Sequence, residues 1–145
     1  LNPKQFDVIL TENLFGDIIS DEASVISGSI GLLASSSIGE KTAMFEPIHG
    51  TYPQAKGKDI ANPLASILSA AMLLEHFGLQ EEADSIKRAL EKSLTLGITT
   101  EDIKGKNQYS ASTSKVGGFI ADYILNQEDS NMNFKNIHMG QSTII

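Results

Sequence analysis

Two aspartates on one predicted helix are the first candidates for chemistry. Asp17 and Asp21 are four residues apart, a spacing that places their Cβ atoms about 5–6 Å apart on one helix face. A hard divalent cation such as Mg²⁺ or Mn²⁺ would offset their mutual repulsion by binding carboxylate oxygens. Acidic residues in a first helical turn are also stabilised by the helix dipole without any metal. The spacing alone therefore leaves a metal site and an ordinary acidic turn both open.

A loop rich in Gly, Lys and Pro, residues 49–61, is the second candidate and is predicted to bind a ligand. His49 begins the loop, and Asn62 and Pro63 follow it. By residue type alone, His49 is more often an ordinary loop histidine. Asn62 is explained as a helix N-cap, with Pro63 at the first helical position. A ligand role for either residue needs further support from its context.

The segment around the aspartates has the pattern of a strand followed by a helix. Residues 6–11 are short, β-branched and apolar on both faces, which predicts a strand covered by helices in an α/β sheet. Residues 14–26 have helical apolar spacing and stop at Gly28, where a left-handed C-cap is favourable. The Gly- and Ser-rich residues 28–39 predict an irregular connection that crosses between domains. Residues 43–46 predict a short strand.

Three further helices are predicted after the loop. The first is capped by Asn62 and runs to about residue 77. The second covers residues 81–96, and we expect it to form an antiparallel pair with the first. The third covers residues 115–125 and follows capping hydroxyls at residues 112–114. Residues 127–145 match no periodicity and are predicted to be a loosely ordered tail.

Composition bounds the class of protein. The 145 residues are 41% hydrophobic and 20% charged, which is typical of a globular domain. A net charge of −7 argues against nucleic acid as a partner. The longest apolar run is too short for a bilayer, which needs about 20 residues, so we expect no membrane partner. The absence of cysteine fits a location in the cytoplasm. The first residues have neither an initiator Met nor the pattern of a signal peptide, so we expect this chain to be a segment of a longer protein.

Longer stretches around both candidate sites resemble the β-decarboxylating dehydrogenases. One match is residues 13–24 (NLFGDIISDEAS) followed by residues 28–32 (GSIGL). The other is residues 45–51 (FEPIHGT) followed by residues 60–63 (IANP). The family contains isopropylmalate, isocitrate, homoisocitrate and tartrate dehydrogenases, and residues 32–74 are most similar to the isopropylmalate branch. The resemblance extends from residue 6 to about residue 125.

The resemblance implies a role for each candidate residue. It assigns Asp17 and Asp21 to the catalytic Mg²⁺ or Mn²⁺. It assigns the adenosine half of a nicotinamide dinucleotide to four residues of the loop and its end: His49, Gly50, Thr51 and Asn62.

Gln54 departs from the pattern of the NAD-using relatives, which commonly have an Asp at this position that accepts the ribose hydroxyls. A Gln side chain can still hydrogen-bond a ribose hydroxyl. A 2′-phosphate would need a cation, and Lys56 and Lys58 are near in sequence. We therefore expect NAD as the cofactor, with NADP less favoured.

The fold implied by the resemblance is an open, two-domain α/β isocitrate/isopropylmalate dehydrogenase-like fold, of which only the C-terminal portion is present. It is not a Rossmann fold, in agreement with the absence of a Gly-x-Gly-x-x-Gly fingerprint. Residues 1–27 are expected to end the smaller, dimer-forming domain with a strand and the metal-binding helix. Residues 28–126 are expected to form the C-terminal half of the larger, cofactor-binding domain, before the tail at 127–145.

The resemblance implies that the protein oxidises and decarboxylates 3-isopropylmalate to 4-methyl-2-oxopentanoate and reduces NAD, a step of leucine biosynthesis. It also implies that the active protein is a homodimer. The family's Lys, Tyr and Arg residues for proton transfer and carboxylate binding lie upstream, so no catalytic residue is assigned here and this segment alone is expected to be inactive. One alternative is the same reaction on isocitrate, homoisocitrate or tartrate. Another, of a different class, is a non-catalytic regulatory subunit.

Overall fold

The computed structural model describes residues 2–106 and 108–131. The described residues form four α-helices and one two-stranded antiparallel sheet: α1 (Asn13–Ser27), β1 (Ala34–Ile38), β2 (Ala43–Pro47), α2 (Leu64–His76), α3 (Gln80–Leu96) and α4 (Thr113–Asn131). Short 3-10 helices occur at Pro3–Gln5, Ile30–Leu32 and Pro53–Ala55. None of the helices in this part of the chain is both long and apolar enough to cross a membrane.

The core lies between α2, α3 and α4. Its cluster of buried apolar side chains comes from all three helices: Leu64, Ala89, Leu90, Val116 and Ile120. The β1–β2 hairpin packs on α2, while α3 packs on both α2 and α4. An ion pair between Glu75 near the end of α2 and Lys87 of α3 joins the two predicted partner helices on their exposed side. The helical periodicity therefore predicted the elements of the core correctly.

The helix predicted around the two aspartates is confirmed as α1, which ends where expected. Gly28 has a φ of 90°, and its N–H donates to the carbonyl of Ser24 at 3.1 Å. No residue of α1 is buried. Its large apolar side chains are exposed among the described residues: Leu14, Phe15, Ile18, Ile19, Val25 and Ile26. The described part of the chain thus leaves the apolar side of α1 uncovered.

Two sequence predictions in the first forty residues are wrong. Residues 6–11 form no strand, and Val8 and Leu10 are 87% and 97% exposed. An inner strand needs hydrogen-bonding neighbours on both sides, and the described residues supply none for this segment. Residues 28–39 are not simply irregular, because they contain Ile30–Leu32 and β1. Pairing with β2, in a register that sets Ser36 opposite Phe45, outweighs the weak strand preference of its serines.

The last helix begins near its predicted capping residues but is also capped from the loop. Ser112 Oγ accepts from the Lys115 N–H at 3.2 Å. Asp59 Oδ1 accepts from the N–H and the Oγ of Ser114 at 2.9 and 2.8 Å. The helix continues past its predicted end to Asn131, and the rest of the predicted tail, residues 132–145, lies outside the described residues. Asp59 therefore attaches the predicted ligand loop to α4.

The Asp59 cap makes the stability of this region dependent on pH. Hydrogen bonds from the side chain and backbone of Ser114, and then from Ser112, lower the pKa of Asp59 below its usual value. A carboxylate with a lowered pKa stabilises the fold above its unfolded pKa of about 4, and that contribution is lost as the pH falls through the folded pKa. We expect Asp59→Asn, which keeps the residue's tolerance of a φ of 55°, to lower the Tm at pH 7 by a few degrees.

Thermal unfolding of the full-length protein at pH 7 and pH 3 checks this expectation. The Tm difference between wild type and Asp59→Asn should shrink at pH 3, which lies below the unfolded pKa of about 4, because the contribution of the Asp59 charge falls as the pH decreases from there through the lowered folded pKa. Asp122→Asn removes an exposed charge from α4 and is the matched control. A Tm difference that is the same at both pH values would contradict a role for the Asp59 charge.

Candidate functional site

Helix α1 presents Asp17 and Asp21 together. Both carboxylates are exposed and line a pocket of about 410 Å³. Asn13 Nδ2 lies 3.5 Å from Asp17 Oδ2, at the limit of a hydrogen bond. The pocket is completed by Ser20 of the same helix and by residues beyond it, namely Ile30, Ile48, His49 and Gly50. The predicted metal ligands therefore open into a space that the loop also borders.

The donor atoms at this pocket fit a hard divalent cation. Mg²⁺ in proteins is usually held by one or two carboxylates and keeps its other positions for water and substrate oxygens. Asp17 and Asp21 supply such a pair on an open face. Within residues 2–106 and 108–131, no group of three or more acidic or histidine side chains converges to enclose an ion. The described residues thus offer two carboxylates of the type that Mg²⁺ and Mn²⁺ prefer, on an open face of α1.

A second pocket, of about 510 Å³, collects the predicted dinucleotide residues. His49, Gly50, Thr51 and Asn62 all line it. Gln54 does not, because it lies exposed on the Pro53–Ala55 turn. The remaining lining includes apolar groups and two carboxylates: Ile30, Tyr52, Ile60, Glu101 and Asp102. The structure therefore brings together the residues that were predicted to hold an adenosine group, apart from Gln54.

The two pockets are neighbours that share a wall. Ile30, His49 and Gly50 line both of them. His49 is half-buried, and its Nδ1 lies 3.0 Å from the carbonyl oxygen of Gly50. A carbonyl oxygen can only accept, so this contact is a hydrogen bond when Nδ1 carries the proton, which leaves Nε2 as the acceptor of a neutral ring. His49 thus stands between the acidic face of α1 and the second pocket.

Asn62 has the predicted capping contact at the start of α2. Its Oδ1 accepts from the N–H of Leu64 at 3.0 Å. The helix begins at Leu64, so Pro63 precedes it instead of occupying its first position. The Nδ2 group of Asn62 donates to Asp102 Oδ2 at 2.9 Å. Capping therefore uses the carboxamide oxygen and leaves the nitrogen for a second contact.

The sequence analysis missed Asp102, which organises one end of the second pocket. Besides the bond from Asn62, it accepts from Ser29 Oγ at 2.6 Å and from Thr100 Oγ1 at 2.6 Å. Burial is the largest single influence on the pKa of Asp102 and raises it, but the hydrogen bonds from Ser29, Thr100 and Asn62 together outweigh it, and the net pKa is lowered. Ser29 and Asn62 are 73 and 40 residues away in sequence, so no spacing could have indicated the cluster.

Comparison with known proteins defines the class. A protein-family model described as isocitrate/isopropylmalate dehydrogenase matches residues 1–120. The chain therefore belongs to the isocitrate/isopropylmalate dehydrogenase family. Among solved structures, isocitrate dehydrogenase from Methylococcus capsulatus superposes with a TM-score of 0.79 at 38% identity, over 86% of this chain and 36% of that one. A β-decarboxylating dehydrogenase from Thermococcus kodakarensis gives a TM-score of 0.75 at 41% identity, over 91% and 39%.

Curated relatives point to one branch of this family. The chain is 55% identical over 122 residues to 3-isopropylmalate dehydrogenase from Bacteroides fragilis, covering 84% of this chain and 35% of the relative. It is 56% identical over 124 residues to the enzyme of the same name from Wolinella succinogenes, with coverages of 84% and 35%. The chain thus spans about a third of the length of these relatives. The similarity to these solved structures confirms the predicted isocitrate/isopropylmalate dehydrogenase-like fold, of which this chain contains a part.

Proposed function

We propose that the whole protein carrying this chain oxidises and decarboxylates 3-isopropylmalate to 4-methyl-2-oxopentanoate and CO₂, with reduction of NAD, in leucine biosynthesis. The observation that carries this proposal is the shared wall at His49 and Gly50. It sets the pocket assigned to the adenosine half next to the pocket of the two carboxylates, so the nicotinamide half of the same dinucleotide can extend toward metal-bound substrate, as hydride transfer requires. The choice of substrate rests on relatives named 3-isopropylmalate dehydrogenase at 55–56% identity.

In this proposal Asp17 and Asp21 hold Mg²⁺ or Mn²⁺. When bound, the cation supplies a Lewis acid that polarises oxygen atoms of the substrate. The chain's own part is to keep both carboxylates on one face of α1, in a pocket with room for the hydroxy acid. The side chains for proton transfer and for binding the substrate carboxylates are expected in the part of the protein outside this chain.

The adenosine half of the dinucleotide is assigned to the second pocket. His49, Gly50, Thr51 and Asn62 supply polar groups, and Ile30 and Ile60 supply an apolar surface for the base. Gln54 lies outside the lining, exposed on the Pro53–Ala55 turn of the same loop, and its carboxamide is able to hydrogen-bond a hydroxyl group. The pocket lining includes the carboxylates of Glu101 and Asp102 but neither Lys56 nor Lys58, so we propose NAD as the cofactor and expect kcat/KM to be higher with NAD than with NADP.

The proposal includes a homodimer located in the cytoplasm. The apolar side of α1 is uncovered, and large exposed apolar patches mark interaction sites. This observation supports the proposal that another protein surface packs on α1. In the expected arrangement this surface meets the remainder of the protein and a second subunit. The net charge of −7 argues against a nucleic acid as the ligand, because the field of an acidic protein repels a phosphate backbone.

His49→Ala is expected to raise the KM for NAD about tenfold in the full-length protein while kcat changes by less than about threefold. Adenosine binding is remote from the reacting carbon, so it affects ground state and transition state alike. Steady-state kinetics with varied NAD measures both constants. His76→Ala is the matched control, because His76 lies exposed at the end of α2 against Phe45 and Phe77. An unchanged KM for NAD in His49→Ala would remove this residue from the cofactor site.

A substrate panel separates the proposed function from its alternatives. The structural similarity to an isocitrate dehydrogenase, at 38% identity, is the observation that favours isocitrate as the second candidate. The full-length protein should reduce NAD fastest with 3-isopropylmalate and slowly with isocitrate, homoisocitrate or tartrate. A faster rate with another acid would overturn the substrate assignment. No rate with any of them, in a folded protein, would favour a non-catalytic regulatory subunit.

A further inference from the structure

The carboxylate of Asp102 joins three separate segments of the chain. Its Oδ2 accepts from Ser29, which follows α1, at 2.6 Å and from Asn62, which precedes α2, at 2.9 Å. Its Oδ1 accepts from Thr100, between α3 and α4, at 2.6 Å. Hydrogen bonds to an ionised acceptor are roughly twice as strong as those between neutral groups. Asp102 therefore holds the three segments together at one end of the second pocket.

The two contacts of Asn62 fix the orientation of its carboxamide. Its oxygen accepts from the Leu64 N–H, and its nitrogen donates to Asp102. A carboxamide turned by half a revolution would set its NH₂ group against the Leu64 N–H and its oxygen against a carboxylate, and both contacts are repulsive. One N–H of Asn62 then remains for a ligand. Asp102 thus determines which polar groups Asn62 presents to the pocket.

The packing around Asn62 supports the same fixed position. Gly31 approaches so closely that a Cβ on it would lie 2.8 Å from Asn62 Nδ2. The N–H of Gly31 donates to Ser29 Oγ at 3.0 Å, and that hydroxyl in turn donates to Asp102. The network therefore continues from the backbone of Ile30–Leu32, through Ser29 and Asp102, to Asn62. Asn62, Gly31 and Asp102 all line the second pocket.

We propose that Asp102 is a positioning residue for the dinucleotide, which locks Asn62 in the orientation that receives the uncharged base end of the ligand. This inference rests on the proposed function, since it takes the ligand of the second pocket to be a dinucleotide. Glu101 and Asp102 both line that end of the pocket. Glu101 is paired with Lys104 at 2.8 Å, so the Asp102 carboxylate is the group that disfavours a pyrophosphate there and favours a neutral base with hydrogen-bond donors. A pocket that is held in shape before binding loses less entropy when the ligand enters.

The test measures NADH binding by fluorescence titration of the full-length protein without substrate, together with steady-state kinetics. Asp102→Ala should raise the Kd for NADH and the KM for NAD about tenfold, with kcat within about twofold and the KM for the hydroxy acid unchanged. Asp102→Asn should lie between wild type and Asp102→Ala, because a carboxamide oxygen can still accept from Asn62 and Ser29. This milder variant also serves if Asp102→Ala does not fold.

Thr100→Val is the control for a purely structural effect. It removes a hydrogen bond to the same carboxylate but leaves the bond between Asp102 and Asn62. We expect it to lower the Tm and to keep the wild-type Kd for NADH. A wild-type Kd in Asp102→Ala would overturn the proposal, as would a Kd that rises in Thr100→Val as much as in Asp102→Ala. Wild-type protein that does not bind NADH would also overturn it, whereas NADH binding without turnover of 3-isopropylmalate would refute the proposed function alone.

Discussion

Asp17→Asn in the full-length protein is expected to lower kcat by about a hundredfold or more and to abolish most of the thermal protection that Mg²⁺ or Mn²⁺ provides. The carboxylate is one of the two that α1 presents to the pocket of about 410 Å³ in which we propose that the metal binds. A Lewis acid stabilises developing charge by several kcal/mol, and each 1.36 kcal/mol lost lowers a rate tenfold. A cation present at a hundred times its Kd stabilises the native state by about 2.7 kcal/mol. Loss of the Asp17 carboxylate should therefore remove most of the rate acceleration and most of the thermal protection that the cation provides.

Kinetics and thermal unfolding with and without added metal measure these two effects. Glu22→Gln is the matched control, because it removes another exposed carboxylate of α1 that does not line the pocket of Asp17 and Asp21. Glu22→Gln should keep the wild-type kcat and the thermal protection by metal, because it removes a negative charge from α1 but no proposed metal ligand. Equal protection of Asp17→Asn and wild type would show that α1 does not bind the metal.

Gly31→Ala should weaken NADH binding tenfold or more and lower the Tm. Gly31 is buried, and a Cβ on it would lie 2.8 Å from Asn62 Nδ2 and 3.0 Å from Asn62 Cβ. Real Cβ atoms do not approach other atoms at the shorter distance, so Asn62 must move. That movement breaks the contact with Asp102 and disturbs the start of α2. Loss of the part-buried capping contact and of the bond to the Asp102 carboxylate costs about 1–3 kcal/mol, equivalent to roughly a fivefold to 150-fold change.

Gly118→Ala is the control for Gly31→Ala. A Cβ at Gly118 meets nothing within 4 Å, and the position lies inside α4, where Ala is favoured over Gly by roughly 0.5–1 kcal/mol. This variant should bind NADH normally and be at least as stable as wild type. Both proteins are compared by NADH titration and thermal unfolding. Normal NADH binding by Gly31→Ala would mean that the position of Asn62 does not matter for the dinucleotide.

The helices were predictable because each is specified by local information. Apolar residues at helical spacing and a terminating glycine, such as Gly28 after α1, are properties of neighbouring residues. The strand predicted at residues 6–11 failed for the opposite reason, since a strand is stable only with partners that the described residues do not contain. The serine-rich β1 was missed because its strand character comes from pairing with β2 and not from its own residues.

In the candidate site, too, the features specified by neighbouring residues were predictable and those that depend on distant partners were not. Asp17 and Asp21 were found from their spacing on a helix, and His49 to Thr51 from the composition of a loop, although their roles came from the family resemblance. The proximity of the two pockets at His49 could not be read from spacing. Asp102 was missed because its partners at Ser29 and Asn62 are 73 and 40 residues away and meet only in the folded chain. An acidic residue in a turn gives no sign of such contacts.

The measurement that tests the central claim most directly is the initial rate of NADH formation, followed by its near-ultraviolet absorbance, from 3-isopropylmalate and NAD with the full-length protein. The rate is measured as purified, after metal removal by a chelator, and after Mg²⁺ or Mn²⁺ is restored. We expect the rate to fall to background on chelation and to return with either cation. An unchanged rate in fully metal-free protein, or no NADH from a folded protein that binds NADH, would contradict the account.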